Sequence, residues 1–239
     1  MNTGAVVVTY QTPNGLLQNC LTSLRISGIQ DISVINNTQK NNPGFAAVAN
    51  QGAARLTNDY LLFINPDAAL APGALAIAWC YLDDHSSVGV VGFLLRSPAG
   101  QVETMSFGAP VTPLSLITRH FVKPRLPKHP APVGWVSGGA LIIRRRLFKQ
   151  LGGFDPQFFL YWEDVDLCRR AREAGWQVIL LPQAGVLHQR GSSLSDNWRR
   201  TKLYDQSADK YFRKHYPEMI CLMVRSARSL YRLLSPRAH

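Results

Sequence analysis

The chain reads as an α/β protein built on an open, mostly parallel sheet with helices on both faces. Three observations predict this. Continuous apolar, β-branched runs recur along the first half, as strands buried on both faces require. Stretches with helical apolar spacing separate them, giving βαβαβα order. The polar residues collect where the runs end, which in such sheets is where ligands bind.

Ala5-Val6-Val7-Val8-Thr9-Tyr10 is the first strand. Pro13 then opens a helix whose Leu16, Leu17, Cys20, Leu21 and Leu24 form one apolar stripe. Ile32-Ser33-Val34-Ile35 is the second strand and ends in Asn36-Asn37. Asn42-Pro43-Gly44 makes a turn into a small-residue helix over 45–56. Tyr60-Leu61-Leu62-Phe63-Ile64 is the third strand and ends in Asn65-Pro66-Asp67. A helix over 71–82 and a strand over 88–92 follow.

The second half is less regular. Residues 95–107, with Pro98-Ala99-Gly100 as the turn, read as a hairpin. Residues 112–132 carry Arg119, His120, Lys123, Arg125, Lys128 and several prolines, which predicts a mobile loop with at most a short helix. The strand over 135–143 passes through Gly138 and Gly139, where the backbone can approach a ligand closely. A helix over 167–175 stops at Gly175, with Leu167, Ala171 and Ala174 on one face. Strands over 177–181 and 184–188 come next, the latter ending in His188. Residues 197–239 form two basic amphipathic helices, with Arg225, Arg228 and Arg232 in a row beside Leu230, Tyr231, Leu233 and Leu234.

This predicts a catalytic-sized domain over 1–195 and a basic helical extension over 196–239. The charge is divided unequally: residues 1–118 carry a net −2 and residues 119–239 a net +13. A basic half calls for an anionic partner, either nucleic acid, a phosphate-bearing substrate or a membrane face. No helix-turn-helix, zinc or RNA-recognition signature is present, so nucleic acid is not expected. No apolar run reaches the roughly 18 residues of a spanning helix, and residues 1–10 show no secretory leader. Cys20, Cys80, Cys168 and Cys221 lie far apart, which predicts reduced core thiols in a cytoplasmic protein.

The chemistry concentrates in Phe158-Phe159-Leu160-Tyr161-Trp162-Glu163-Asp164-Val165-Asp166. Three carboxylates within four residues repel one another, and the aromatic run beside them makes hydration poorer. A proton or a cation relieves that conflict. They also open a helix, where the dipole favours negative charge. A cap needs one acid; Asp166 is assigned that role, leaving Glu163 and Asp164 for chemistry.

The ordered set Val7-Val8-Thr9-Tyr10, Ile35-Asn36-Asn37, Asn42-Pro43-Gly44-Phe45-Ala46-Ala47 with Asn50, and Leu62-Phe63-Ile64-Asn65-Pro66-Asp67 resembles inverting family 2 glycosyltransferases of the GT-A fold. Gly138-Gly139-Ala140, Gly152-Gly153-Phe154-Asp155, the aromatic and acidic stretch above and His188 continue the likeness over residues 4–195. The rhamnosyltransferase-like branch is the nearest in pattern.

That resemblance implies a role for each position. Asp67 would be the acid of a DxD-like element and, with His188, would hold a divalent cation, Mg²⁺ or Mn²⁺. Asn65 replaces the first acid and would bind the nucleotide, as would Thr9, Tyr10, Asn36 and Asn37. Gln11 stands where the family carries Asn. Gly138 and Gly139 would form the donor-sugar loop, and residues 42–50 either offer backbone N–H groups to the diphosphate or let a helix pack closely. Asp164 would be the catalytic base, with Glu163 and Trp162 orienting the acceptor. The implied reaction moves a sugar, most simply L-rhamnose, from a dTDP- or UDP-sugar to a glycan or polyprenyl-diphosphate-linked acceptor in cell-surface polysaccharide synthesis. An anionic membrane surface is a further expected partner, placing the protein on the inner face of the cell membrane. The alternative is a non-catalytic sugar-nucleotide or glycan-binding module, suggested by Asn at positions 36 and 65. The intact Glu163–Asp166 cluster speaks against it.

Overall fold

The computed structural model describes residues 2–38, 42–118, 125–189 and 197–234. In chain order the elements are β1 (Thr3–Thr9), α1 (Asn14–Ile26), β2 (Ile32–Asn36), α2 (Phe45–Ala54), β3 (Tyr60–Ile64), β4 (Ala68–Leu70) and α3 (Ala74–Asp84). They continue with β5 (Val88–Arg96), β6 (Phe107–Gly108), α4 (Pro113–Thr118), β7 (Ala131–Pro132), β8 (Trp135–Val136), β9 (Ala140–Arg144) and α5 (Arg145–Gln150). The last are α6 (Glu163–Glu173), β10 (Gln177–His188), α7 (Asn197–His215) and α8 (Glu218–Leu234).

The main sheet runs β2-β1-β3-β9-β5-β10-β4, with β7 on the flank of β10. β1 is parallel to both β2 and β3, and β5 is parallel to β10. β9 breaks the pattern by lying antiparallel between β3 and β5. The expected mostly parallel sheet is therefore present as a mixed one. Its two faces carry separate apolar layers: Leu24, Leu62, Leu75 and Phe93 on one side, and Val6, Phe63, Leu141 and Leu167 on the other. Burial on both faces is why these strands read as unbroken apolar runs.

Several boundaries depart from expectation. The helix expected over 71–82 begins at Ala74, because residues 68–70 first form β4 and pair with β10. The strand expected over 135–143 is divided at Ser137-Gly138-Gly139 into β8 and β9. The two strands expected over 177–188 are one, irregular between Leu181 and Gly185. The hairpin over 95–107 survives as a single bridge between Arg96 and Val102. The basic loop holds α4 and β7, and residues 119–124 lie outside the described ones. On α6, Cys168 rather than Ala174 joins Leu167 and Ala171 in the core. Cys20 and Cys168 are buried thiols as expected, but Cys80 is exposed.

The two C-terminal helices join the body through a third apolar cluster, in which Phe158 and Trp162 meet Ala208, Tyr211, Phe212 and Val224. No helix among the described residues is long and apolar enough to cross a membrane.

Candidate active site

The polar residues of the strand ends assemble along one edge of the sheet. At the end of β1, the Thr9 hydroxyl donates to Ile35 O at 3.4 Å and its backbone O accepts Asn37 N–H at 2.8 Å. Thr9 therefore ties β1 to β2. Beside it, Ile35, Asn36, Asn37, Asn42 and Pro43 border a cavity of about 500 Å³. Asn37 donates to Asn42 Oδ1 at 2.8 Å, while its own Oδ1 is buried with no hydrogen-bond partner. Asn36 is exposed and Tyr10 half-buried. Gln11, next in line, has a left-handed φ of 51°.

Of the two readings for residues 42–50, close packing matches the geometry. Gly44 N–H is taken by Asn42 Oδ1 at 2.9 Å and Phe45 N–H by Phe159 O at 2.7 Å. Gly44 has φ 95°, and a Cβ there would lie 2.6 Å from Phe159 O. Asn50 holds the same neighbouring chain through both sides of its amide, to Phe154 O at 2.7 Å and from Phe154 N–H at 2.9 Å.

Asn65, Asp67 and His188 come together because β4 folds back antiparallel on β10, pairing Ala68 with His188. Asp67 Oδ1 lies 3.3 Å from His188 Nε2, and Asn65 Nδ2 lies 3.2 Å from the same nitrogen. On the other edge of the ring, Nδ1 meets Glu103 Oε1 at 3.0 Å. Burial works against a charged imidazole, but the hydrogen bonds and charges of Asp67 and Glu103 outweigh it and raise His188 to about 9. A doubly protonated ring suits both carboxylates yet sets its Nε2–H against the Asn65 NH₂. A cation held by Asp67 and His188 would remove that conflict. The 3.3 Å separation also suits it, since adjacent ligands on an octahedral cation with roughly 2.1 Å bonds lie about 3 Å apart. Among the described residues no group of three acidic, His or Cys side chains forms a ready cage. Two protein ligands are what a cation shared with a diphosphate and waters requires.

Glu103 is the site residue that sequence reading missed. It is a lone acid in an irregular turn, with no motif around it to draw attention. It is buried, and orients His188 as carboxylates orient metal-binding histidines elsewhere.

Gly138 and Gly139 lie where β9 begins, against the end of β3. Gly139 O accepts Asn65 N–H at 3.0 Å, and Gly138 N–H donates to Asp164 Oδ2 at 2.8 Å. Asp164 Oδ1 accepts Val165 N–H at 2.8 Å. Burial pushes the Asp164 carboxyl up, opposed by backbone N–H groups of Gly138, Val165 and its own residue. Glu163 is pushed well above its usual range, by burial first and then by the charge of Asp164. Its Oε2 is buried without a hydrogen-bond partner. Two buried carboxyls side by side thus disfavour carrying two charges at once.

Two expectations for this stretch are corrected. Trp162 is no open platform for a sugar: its ring is buried against Tyr204 at 5.4 Å and Tyr211 at 5.1 Å. Asp166 is no cap: it is fully buried and bonded to Arg170 at 2.7 Å, Lys214 at 2.8 Å and His215 at 2.7 Å. Burial alone would raise its carboxyl, but these three partners hold it below the usual carboxylate range.

The edge of the sheet thus offers a cavity beside Asn36 and Asn37, an acid–imidazole pair suited to a cation, and a buried carboxyl against a glycine loop. Residues 1–203 match the family described as "Glycosyltransferase like family 2". The chain belongs to this family. N-acetylglucosaminyl-diphospho-decaprenol L-rhamnosyltransferase of Mycobacterium tuberculosis is 29% identical to this glycosyltransferase, over 79% of this chain and 76% of the relative. Rhamnosyltransferase WbbL of Escherichia coli is 27% identical over 55% of this chain and 52% of its own. Among solved structures, GalNAc-T7 with UDP, GalNAc and Mn²⁺ superposes with a TM-score of 0.62 at 14% identity, over 89% of this chain and 50% of that one. Mannosyltransferase PcManGT from Pyrobaculum calidifontis, with GDP-Man and Mn²⁺, gives 0.61 at 16% identity, over 98% of this chain and 71% of that one. At those identities the likeness shows the fold, which is GT-A.

The charge network of Asp166 in this glycosyltransferase makes a pH prediction. Because its folded pKa lies below the unfolded value of about 3.9, its stabilisation is complete above about pH 4 and is lost as pH falls through the folded pKa. Asp166→Asn should cost about 3 kcal/mol at neutral pH. The melting temperature of the wild type should then fall more steeply than that of the variant below pH 4. Parallel acid profiles would remove the charge account.

Proposed function

We propose that this protein is an inverting, cation-dependent glycosyltransferase that moves L-rhamnose from dTDP-L-rhamnose to a polyprenyl-diphosphate-linked acceptor. The observation that carries the reaction class is Asp164, buried and held at 2.8 Å by Gly138 N–H, in the same glycine loop that holds Asn65 beside the Asp67–His188 pair. The rhamnosyl donor and lipid-linked acceptor are supported by the names of the relatives.

In this reading Asp164 takes the proton of the acceptor hydroxyl as that oxygen attacks the anomeric carbon from the face opposite the nucleotide. Inversion follows from a single displacement. A positioned base contributes about 10²–10⁴-fold. Glu163, protonated, donates to and orients the acceptor. Asn37 Oδ1 and the Asn36 amide accept from and donate to the base in the neighbouring cavity, with Thr9 tying the adjoining strand ends together and Tyr10 next to it in the chain. Asn65 turns to the nucleotide sugar, and the Gly138–Gly139 backbone lies against the donor sugar. Asp67 and His188 would hold Mg²⁺ or Mn²⁺, with Glu103 orienting the imidazole. When bound, that cation supplies Lewis-acid neutralisation of the leaving diphosphate.

The extension gives the reading its location. α8 exposes Met219, Leu222, Met223 and Leu230 on one helical face, the first 74% and the third 64% exposed. Of the arginine row, Arg225 is exposed, whereas Arg228 is turned onto Asp205 and Asp209 of α7. The side chains of Tyr231, Arg232, Leu233 and Leu234 lie outside the described residues. We assign the apolar face to a membrane interface, where a lipid-linked acceptor is presented.

Asp164→Asn should fold and bind donor nearly as the wild type does, yet lose more than nine-tenths of transfer. In the wild type the acid limb of the rate should lie above the ordinary carboxylate range, since an ionised base with a raised pKa is needed. A variant keeping more than about a tenth of turnover would remove the general-base role.

Asp67→Ala should abolish the extra thermal stabilisation that Mn²⁺ gives in the presence of dTDP. Equal dTDP affinity in EDTA and in Mn²⁺ would instead make arginine and lysine the carriers of diphosphate charge.

The protein should co-sediment with anionic vesicles at low salt and less well at high salt, where exposed charges are screened. Leu222→Glu with Met223→Glu should release it without lowering the melting temperature, both residues being exposed. Indifference of the wild type to such vesicles would make this face a protein contact.

A further inference from the structure

The turn that carries Asp164 is fastened from outside the sheet. Tyr161 and Trp162 both adopt left-handed backbone, at φ 68° and 71°, although neither is glycine. Two such residues in succession persist only where the surroundings over-determine them. α7 supplies that surround with one face. Ser207 Oγ donates to Leu160 O at 2.7 Å, the carbonyl immediately before the strained pair. Lys210 Nζ donates to Gln157 O at 2.6 Å. Lys214 bridges Asp155 at 2.6 Å and Asp166 at 2.8 Å, and His215 Nε2 meets Asp166 Oδ1 at 2.7 Å. Positions 207, 210, 211, 214 and 215 share one helical face by their spacing. Residues 155–166 are therefore held at both ends and in the middle, with the Trp162 ring seated on the same face.

Asp164 itself accepts hydrogen bonds from the backbone N–H groups of Gly138 and Val165. α7 acts on it through the turn. The holding residues also lie beyond residue 203, where the family match ends.

We propose that α7 is a positioning element for the catalytic turn, with Ser207 and His215 as positioning residues that hold Leu160 and Asp166 so that Asp164 meets Gly138. The proposal rests on Asp164 as the base.

The test compares Ser207→Ala, His215→Ala and His215→Gln in the full-length chain. The probes are dTDP-L-rhamnose and an N-acetylglucosaminyl-diphospho-polyprenol. Ser207→Ala and His215→Ala should lower kcat about ten- to a hundred-fold, the scale of a misplaced reacting group. The donor KM should stay within about twofold, and His215→Gln, which can still donate to Asp166, should recover most of the rate. Hydrogen exchange of the 158–166 amides should quicken in both alanine variants while that of β1 and β3 does not. Added to Asp164→Asn, Ser207→Ala should cost less than about twofold more, because the group it positions is already gone.

Unchanged exchange in the turn, unchanged kcat, or a loss that multiplies in full on Asp164→Asn would each overturn the proposal. If His215→Ala fails to fold, Ser207→Ala, which removes a single hydroxyl, decides it. Full activity of Asp164→Asn would overturn the base reading instead. The exchange result would then still tell whether α7 holds the turn.

Discussion

The site depends on β9 running against the grain of the sheet. β1, β2 and β3 all deliver their ends to one edge, and a parallel β9 would deliver Arg144 there. Inserted antiparallel, β9 delivers its beginning, so Ser137, Gly138 and Gly139 arrive beside Asn65. Five strand residues span roughly 17 Å, which is how far the glycine loop would move if the strand were reversed. From this placement one backbone segment serves both halves of the cleft. Gly139 O holds Asn65 N–H on the side of the Asp67–His188 pair, and Gly138 N–H holds Asp164 on the other. A side chain at 139 would meet Leu95 at 2.9 Å, so the loop's closeness to the strands is built into its glycine.

Around this loop the buried acids fall into two groups by what neutralises them. Asp166 has Arg170, Lys214 and His215, and stays charged in a fully buried position. Its lone pairs face cations from two helices, so ionisation is favoured despite desolvation. For Glu163 and Asp164 burial dominates and raises both carboxyls, opposed at Asp164 by backbone N–H groups. The dipole of α6 adds favourable potential at its first turn. One short helix start thus combines a carboxylate held by charged side chains with one held by backbone N–H groups, two residues apart. The difference is made by α7, whose last turn carries Lys214 and His215 to Asp166 rather than to Asp164.

Much of this was legible in the sequence where the signal is local. Unbroken β-branched runs marked strands buried on both faces, and the ends of those runs marked Thr9, Asn36, Asn65 and His188 as edge residues. The crowding of Glu163, Asp164 and Asp166 marked a conflict of charges that the fold does resolve. What was not legible depends on long-range pairing. β4 is three residues long and has no period to read, yet its return onto β10 is what brings Asp67 to His188. Glu103 reaches the imidazole from a turn whose only sequence sign was a Pro-Ala-Gly bend. The family likeness set Trp162 beside the acceptor, with core packing as its equal alternative, and Tyr204, Tyr211 and Phe212 cover its ring. Those partners lie about 40 to 50 residues away in a helix that the sequence marked as basic and amphipathic, with nothing to show which face turns inward.

The inward turn of that region also changes how a membrane contact would work. Read from sequence, the arginine row of α8 implies a largely electrostatic attachment, at about 1 kcal/mol for each basic side chain near an anionic leaflet. In the structure Arg228 is already committed to Asp205 and Asp209, and its release would cost those pairs. Alongside the exposed Arg225, the outward residues include the apolar Met219, Leu222, Met223 and Leu230. Fully withdrawing one such side chain from water gives about 1.5–3 kcal/mol, so partial insertion of four exceeds what Arg225 alone would give. Apolar contact then sets the strength of attachment, while the basic half sets the approach and the choice of leaflet. Arg228 acts at a different point, by locking α8 to α7. Because α7 in turn grips the turn before Asp164, a membrane contact made by α8 would be coupled through Arg228 to the turn that carries Asp164.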